Sequence, residues 1–167
     1  PLRPGDRVAL VPASSAIPED RLSPAVEAVR ALGLEPVVFP SCLPESRHGY
    51  FAASDAQRAK DIQDAFADPS IAGVLCARGG YGAHRLLPLL DFEAIAKAPK
   101  YFSGYSDVTA LHTAFNQRCG FVTYHTIMPT TEYYQPVDGF SMDCLRRALF
   151  GGLTRPLPLP EGHALGA

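Results

Sequence analysis

The tetrapeptide Gly104-Tyr105-Ser106-Asp107 holds the side chain best suited to covalent chemistry in this sequence. It follows a short apolar run, Tyr101-Phe102-Ser103, and opens an amphipathic stretch from Ser106 to Gln117, so Ser106 is expected at a strand-to-helix turn. A hydroxyl at the head of a helix sits among outward-pointing backbone N–H groups, which favour developing negative charge. A nucleophilic serine needs such a setting, because its tetrahedral intermediate carries an oxyanion. Serine at this position also serves as a plain N-cap, and Gly-x-Ser without a second glycine does not choose between the two roles. Asp107 suits the helix dipole and is equally placed to meet a substrate amine.

Arg78-Gly79-Gly80-Tyr81-Gly82 follows another apolar run, Ile71 to Cys76. Glycines here let the backbone adopt positive φ and approach a ligand closely. Nucleotide binding is disfavoured: Gly80-Tyr81-Gly82-Ala83-His84-Arg85 has Arg where a dinucleotide fingerprint needs Gly or Ala, and no G-x-x-x-x-G-K-[ST] loop occurs. An anion-binding or oxyanion-donating turn remains, beside a plain tight turn. Arg78 can pair with a substrate carboxylate or brace the turn. Among the histidines, His125 ends a fifth apolar run and is expected at the catalytic edge, as a base for Ser106 or as a loop-positioning group. His112, six residues past Ser106, is expected to point away from that edge. His84 is expected on a helix surface, and His48 and His163 in solvated loops. No His or Cys spacing suits a metal, so no metal site is expected.

These turns need a frame that brings them to one edge. Arg7 to Val11 reads as a buried strand ended by Pro12-Ala13-Ser14-Ser15, then a helix with Ser23 as N-cap, Pro24 at its first position and Gly33 as its stop. Val37-Val38-Phe39 is a second strand, and residues 40–53 form a loop carrying His48-Gly49-Tyr50-Phe51. Ser54-Asp55-Ala56-Gln57 has the form of a capping box, opening a helix with Ile62, Ala65 and Phe66 inward. Ile71 to Cys76 is the third strand, followed by a helix through Arg85-Leu86-Leu87. Tyr101 to Ser103 is the fourth, followed by a helix with Val108, Leu111 and Phe115 inward. Phe121 to Tyr124 is the fifth, and a last helix uses Met142, Leu145 and Leu149 before Gly151-Gly152. Near-continuous apolar strands alternating with amphipathic helices predict an α/β fold, a doubly wound, mostly parallel sheet with helices on both faces, flavodoxin-like or Rossmann-like. Its active site belongs in the loops at the carboxyl ends of the strands, here 12–18, 40–53, 77–82, 104–107 and 125–135.

The 167 residues suit one domain, with 47% hydrophobic residues and 15 basic against 17 acidic side chains. A net charge of -2 provides no basic field, which excludes a nucleic-acid platform. No apolar run nears the roughly 18 residues of a membrane span, and the start at Pro1 lacks a secretory layout and reads as trimmed. The four cysteines lie in or beside apolar stretches, the expectation for reduced, mostly buried thiols of a cytoplasmic protein. Residues 1–152 are expected to form the domain. Residues 153–167, with Pro156, Pro158 and Pro160 alternating with leucines, read as an extended linker toward a further domain.

Several ordered motifs together resemble the LD-carboxypeptidases, serine peptidases that include muramoyltetrapeptide carboxypeptidases and microcin C immunity peptidases. They are Val8 to Ser15, Gly49 to Asp55, Arg58 to Ile62, Arg78 to Gly82 with Leu86-Leu87 and Leu90-Asp91, and Gly104 to Asp107 with Thr109 to His112. The resemblance covers about residues 5 to 150. It implies a flavodoxin-like or class I glutamine amidotransferase-like fold and a Ser-His-Glu triad with Ser106 as nucleophile. It also implies an oxyanion hole from the N–H groups of Gly80 and Asp107, and a triad His and Glu in a C-terminal domain this chain lacks. The expected reaction is release of terminal D-Ala from a murein tetrapeptide during cell-wall recycling, by a cytoplasmic homodimer with no cofactor, Arg78 and Gly79 contacting the substrate. The alternatives are cleavage of an aminoacyl-nucleotide amide and a non-catalytic ligand-binding or dimerisation module. The family's His-Gly-Pro-Met is replaced by His125-Thr126-Ile127-Met128, so no specificity is carried through that loop.

Overall fold

The computed structural model describes residues 1–152; the expected linker and His163 lie outside the described residues. Five strands form one sheet in the order β2-β1-β3-β4-β5: β1 (Arg7–Val11), β2 (Glu35–Val38), β3 (Ile71–Cys76), β4 (Tyr101–Gly104) and β5 (Tyr124–His125). Every neighbouring pair is parallel, with Leu10 opposite Val38 on one side and Leu75 on the other. Alternate residues of each strand feed opposite faces. Ala9, Val11, Val74 and Phe102 pack against α2 (Asp55–Ala67), α3 (Phe92–Lys97) and the helical stretch after β4 through Ile62, Phe66, Ile95 and Phe115. Val8, Leu10, Leu75 and Tyr101 pack the other way, against Val29 of α1 (Glu19–Ala31) and Leu145 and Leu149 of α5 (Gly139–Phe150). Both faces are therefore buried, which the unbroken apolar strands require. The chain leaves β1 toward β2 on one side and returns as β3 on the other, opening a crevice at the carboxyl edge.

Two boundaries differ from those the sequence predicts. Helix α1 begins at Glu19, not after Ser23, and carries Pro24 inside it. Pro18 followed by Glu19 and Asp20 provides a stronger start, since acids in the first turn favour the dipole. The fifth strand shrinks to Tyr124–His125, because the Phe121 ring turns onto Phe66 and Phe115 at centroid distances of 5.9 and 5.6 Å. Asn116 Nδ2 then bonds the Phe121 carbonyl and Thr123 Oγ1, holding residues 121–123 off the ladder. At α2 the Ser54 hydroxyl accepts from the Gln57 N–H, but the Gln57 side chain turns to Asp61, so only half of a capping box forms.

Candidate active site

Strand β4 ends at Gly104 with φ +155°, where a Cβ would lie 2.8 Å from Cys76 Cβ and 3.0 Å from Val108 Cγ1. Glycine alone lets the chain turn this tightly against β3. Two residues later Ser106 has φ +62°, the one non-glycine residue with positive φ among the described residues. Such a conformation costs on the order of 1–3 kcal/mol and persists only where the surroundings enforce it. A tight 3-10 turn, Ser106–Val108, then leads into α4 (Thr109–Ala114). The position preceding that turn is Tyr105, and no side chain caps it. The exposed Ser106 hydroxyl therefore makes no capping bond, and capping does not account for a serine here.

The glycine turn lies alongside. A Cβ on Gly79 would stand 3.3 Å from Ser106 Cβ, so that turn backs directly onto the serine. Gly80 has φ +124°, and a Cβ there would fall 2.6 Å from both Ser15 Oγ and Tyr50 OH. Ser15 fixes the turn from β1, donating to the Gly79 carbonyl from its N–H at 3.1 Å and its hydroxyl at 2.7 Å. Arg78 Nε donates to Ser15 Oγ at 2.9 Å, while its Nη1 is buried without a partner among the described residues. Arg78 thus braces the turn and keeps a donor in reserve. The N–H groups of Gly80 and Asp107 likewise have no partner among the described residues. Ser106, Gly79, Gly80, Arg78, Arg47 and Tyr50 line a cleft of about 460 Å³.

This strand–turn–helix serine, with a glycine turn beside it, falls inside residues 8–126, which match the family model for the LD-carboxypeptidase N-terminal domain. The chain belongs to the LD-carboxypeptidase family. A Streptomyces coelicolor protein provisionally named a carboxypeptidase is 51% identical over 128 residues, covering 74% of this chain and 41% of that protein. The murein tetrapeptide carboxypeptidase of Pseudomonas aeruginosa is 37% identical over 112 residues, 66% of this chain and 36% of its own length. The microcin C7 self immunity protein, solved with aspartyl sulfamoyl adenosine, superposes with a TM-score of 0.86 at 24% identity, over 96% of this chain and 50% of that one; this likeness is one of fold. The chain spans about two-fifths of the length of these curated relatives.

In this LD-carboxypeptidase domain Asp107 does more than favour a helix dipole. Its Oδ2 accepts from Ser14 Oγ at 2.6 Å and from the Ala83 N–H at 2.7 Å, so its carboxylate is engaged within the fold. The opposite wall is set by Glu132, which accepts from Tyr105 OH at 2.5 Å and from the Met128 N–H at 2.8 Å. That bond to Glu132, followed by burial, pushes the Tyr105 phenol up to about 12.

His112 does not point away from the edge. It is buried, with Nε2 2.9 Å from the Gly104 carbonyl, and its ring lies against Phe102. Counting helical turns from Ser106 does not apply, because Ser106 at φ +62° lies outside any right-handed helical step. His125 does reach the edge, where it is exposed and packs on Tyr105 at 5.8 Å. His84 lies on the surface against Tyr81, and His48 is exposed in its loop. Among the described residues no histidine or carboxylate hydrogen-bonds Ser106, and none form a metal-binding cluster.

The supporting side chains Ser14, Ser15, Arg58 and Glu132 escape sequence reasoning. Ser14-Ser15 carried a signal, adjacent hydroxyls just past β1 at the carboxyl edge. Arg58 carried only its place in the Arg58 to Ile62 motif, which gave it no role, since a lone arginine in a helix usually faces solvent.

Proposed function

We propose that this chain is the serine-bearing N-terminal part of a longer LD-carboxypeptidase that removes the terminal D-Ala from a murein tetrapeptide. Ser106 Oγ attacks the carbonyl of the L,D-peptide bond, and its proton passes to a base outside residues 1–152. The Gly80 and Asp107 N–H groups receive the oxyanion. The base returns the proton to the leaving amine, D-Ala departs, and water hydrolyses the ester on Ser106. Arg78 Nη1, beside Gly79, meets the substrate's terminal carboxylate. The observation that carries this reading is the exposed Ser106 hydroxyl, held at positive φ with no capping role, backed by Gly79. The similarity to the Pseudomonas murein tetrapeptide carboxypeptidase supports the substrate class.

The proposal extends to action in the cytoplasm, in cell-wall recycling, as a homodimer. Among the described residues no helix is long and apolar enough to cross a membrane. The test is product analysis of the parent protein incubated separately with a murein tetrapeptide and an aminoacyl-nucleotide amide. Free D-Ala from the first is expected. Cleavage of the amide alone would overturn the substrate assignment, and failure of a serine-reactive acylating probe to label Ser106 would make the domain a binding module.

A further inference from the structure

The two backbone donors of the proposed oxyanion hole sit on different turns, so something must fix the distance between them. Two charged side chains hold the glycine turn: Asp107, which belongs to the Ser106 turn and reaches across to it, and Arg58, which ties it to the loop after β1. Arg58 is fully buried on α2, with its Nε on the Ala53 carbonyl at 3.2 Å and its Nη2 paired with Asp55. Its Nη1 donates to the Ala13 carbonyl and, at 3.3 Å, to the Gly82 carbonyl. Asp107 Oδ2 accepts from Ser14 Oγ and the Ala83 N–H. The Gly82 C=O and the Ala83 N–H belong to one peptide plane. That plane is therefore gripped at its oxygen by a buried cation and at its N–H by an anion. The same two side chains hold the loop after β1, one through the Ala13 carbonyl and the other through the Ser14 hydroxyl. Phe51 lies against the Arg58 guanidinium at 4.8 Å and against Arg85 at 5.1 Å.

We infer that Arg58 and the Asp107 carboxylate are a positioning pair, a two-sided clamp on the Gly82–Ala83 peptide that sets the glycine turn relative to Ser106. This rests on the oxyanion reading of that turn. Charge-assisted bonds are the shorter and stronger kind, and opposite charges acting on the two ends of one peptide dipole oppose its rotation. Neither side chain is placed on the reacting atoms. The clamp acts through the Gly80 N–H, two residues before the gripped plane, and through the Asp107 N–H, whose own side chain is anchored.

The decisive variant is Asp107→Ala in the parent protein, since alanine keeps the backbone N–H and removes only the carboxylate. D-Ala release should fall on the order of 10²-fold in kcat, the usual result of a small misplacement, with KM changed less than about threefold. Arg58→Lys keeps the charge but not the fork, and should act the same way. Because the pair works as a unit, the double variant should be little worse than the poorer single one. Arg30→Lys, in an exposed pair with Glu27, should leave kcat unchanged. Hydrogen exchange of segment 78–85 gives a readout free of activity: both clamp variants should speed exchange there and not in β3. Unchanged exchange at 78–85, or a kcat loss matched by an equal rise in KM, overturns the clamp. Should the unmodified parent protein release no D-Ala, the functional reading fails, and the exchange result still decides the clamp. Should Arg58→Lys fail to fold, Asp107→Ala carries the test on a half-exposed residue.

Discussion

At Ser106 the backbone holds a conformation that a capping serine has no use for, which makes substitutions there separable in their effects. Ser106→Ala should abolish D-Ala release by the parent protein and shift stability by no more than about 0.5 kcal/mol, because no bond of the hydroxyl is lost. Ser106→Gly should be equally inactive yet more stable by about 1 kcal/mol in denaturant unfolding, because φ +62° costs glycine little. A Ser106→Ala variant that keeps turnover removes this residue from the mechanism. Gly80→Val should lower kcat on the order of 10²-fold or more, through a lost or displaced donor, with substrate affinity altered less. An equal loss of affinity would make the turn a binding element instead. The placing of Ser106 and the glycine turn was legible, because a hydroxyl and a run of glycines each stand just beyond a predicted strand; the oxyanion roles proposed for the Gly80 and Asp107 N–H groups came from the family resemblance alone. Ser15, Glu132 and Arg58 were not legible, since their roles depend on partners far away in sequence, such as Gly79 for Ser15 and Ala13 for Arg58.

The elements that meet beneath the serine do so without spare room. Gly104→Ala drives a methyl to 2.8 Å from Cys76 Cβ, on the neighbouring strand, and should cost about 1–3 kcal/mol in thermal or denaturant unfolding. The Gly104 carbonyl is itself shared, accepting from the Thr126 N–H at 3.1 Å and lying 2.9 Å from His112 Nε2 on α4. Burial lowers the pKa of His112, outweighing the Gly104 bond that raises it. The unfolded chain therefore takes up this proton more readily than the native one. The stability His112 contributes is present above its unfolded pKa of about 6.5 and is lost as pH falls from there through the lower folded value. His112→Gln, which keeps a donor for Gly104, should flatten the fall in unfolding free energy between about pH 7 and 5; an undiminished fall would assign that titration elsewhere. At this scale the strongest signals read correctly. β1 and β3 matched their apolar runs, since both are buried on both faces, and Ser54 capped α2. The β5 run failed because Phe121 finds more burial against Phe66 and Phe115 than in the ladder, and the His112 direction failed because it was counted from Ser106, whose φ of +62° is not a helical step.

For the whole molecule, the parallel order β2-β1-β3-β4-β5 gathers the turns after β1, β3 and β4 at one edge, giving a serine, a glycine turn and a cation in a single cleft. The alternation of apolar strands and amphipathic helices made a doubly wound parallel sheet foreseeable, though not its strand order, and the motifs made the family foreseeable. Among the described residues no base lies within hydrogen-bond reach of the Ser106 hydroxyl, which an activator needs. His112 is committed to Gly104 and His125 packs on Tyr105. The matched segments make up only 41% and 36% of these relatives, and the proposed reaction draws its base from the remaining length. The direct measurement is D-Ala release from a murein tetrapeptide by three proteins side by side: residues 1–167, the parent protein, and the parent protein carrying Ser106→Ala. The account predicts release by the parent protein alone. Comparable release by residues 1–167 would place the base within this chain, with His125 the first to test, and release by the Ser106→Ala protein would contradict the assignment of Ser106 as the nucleophile.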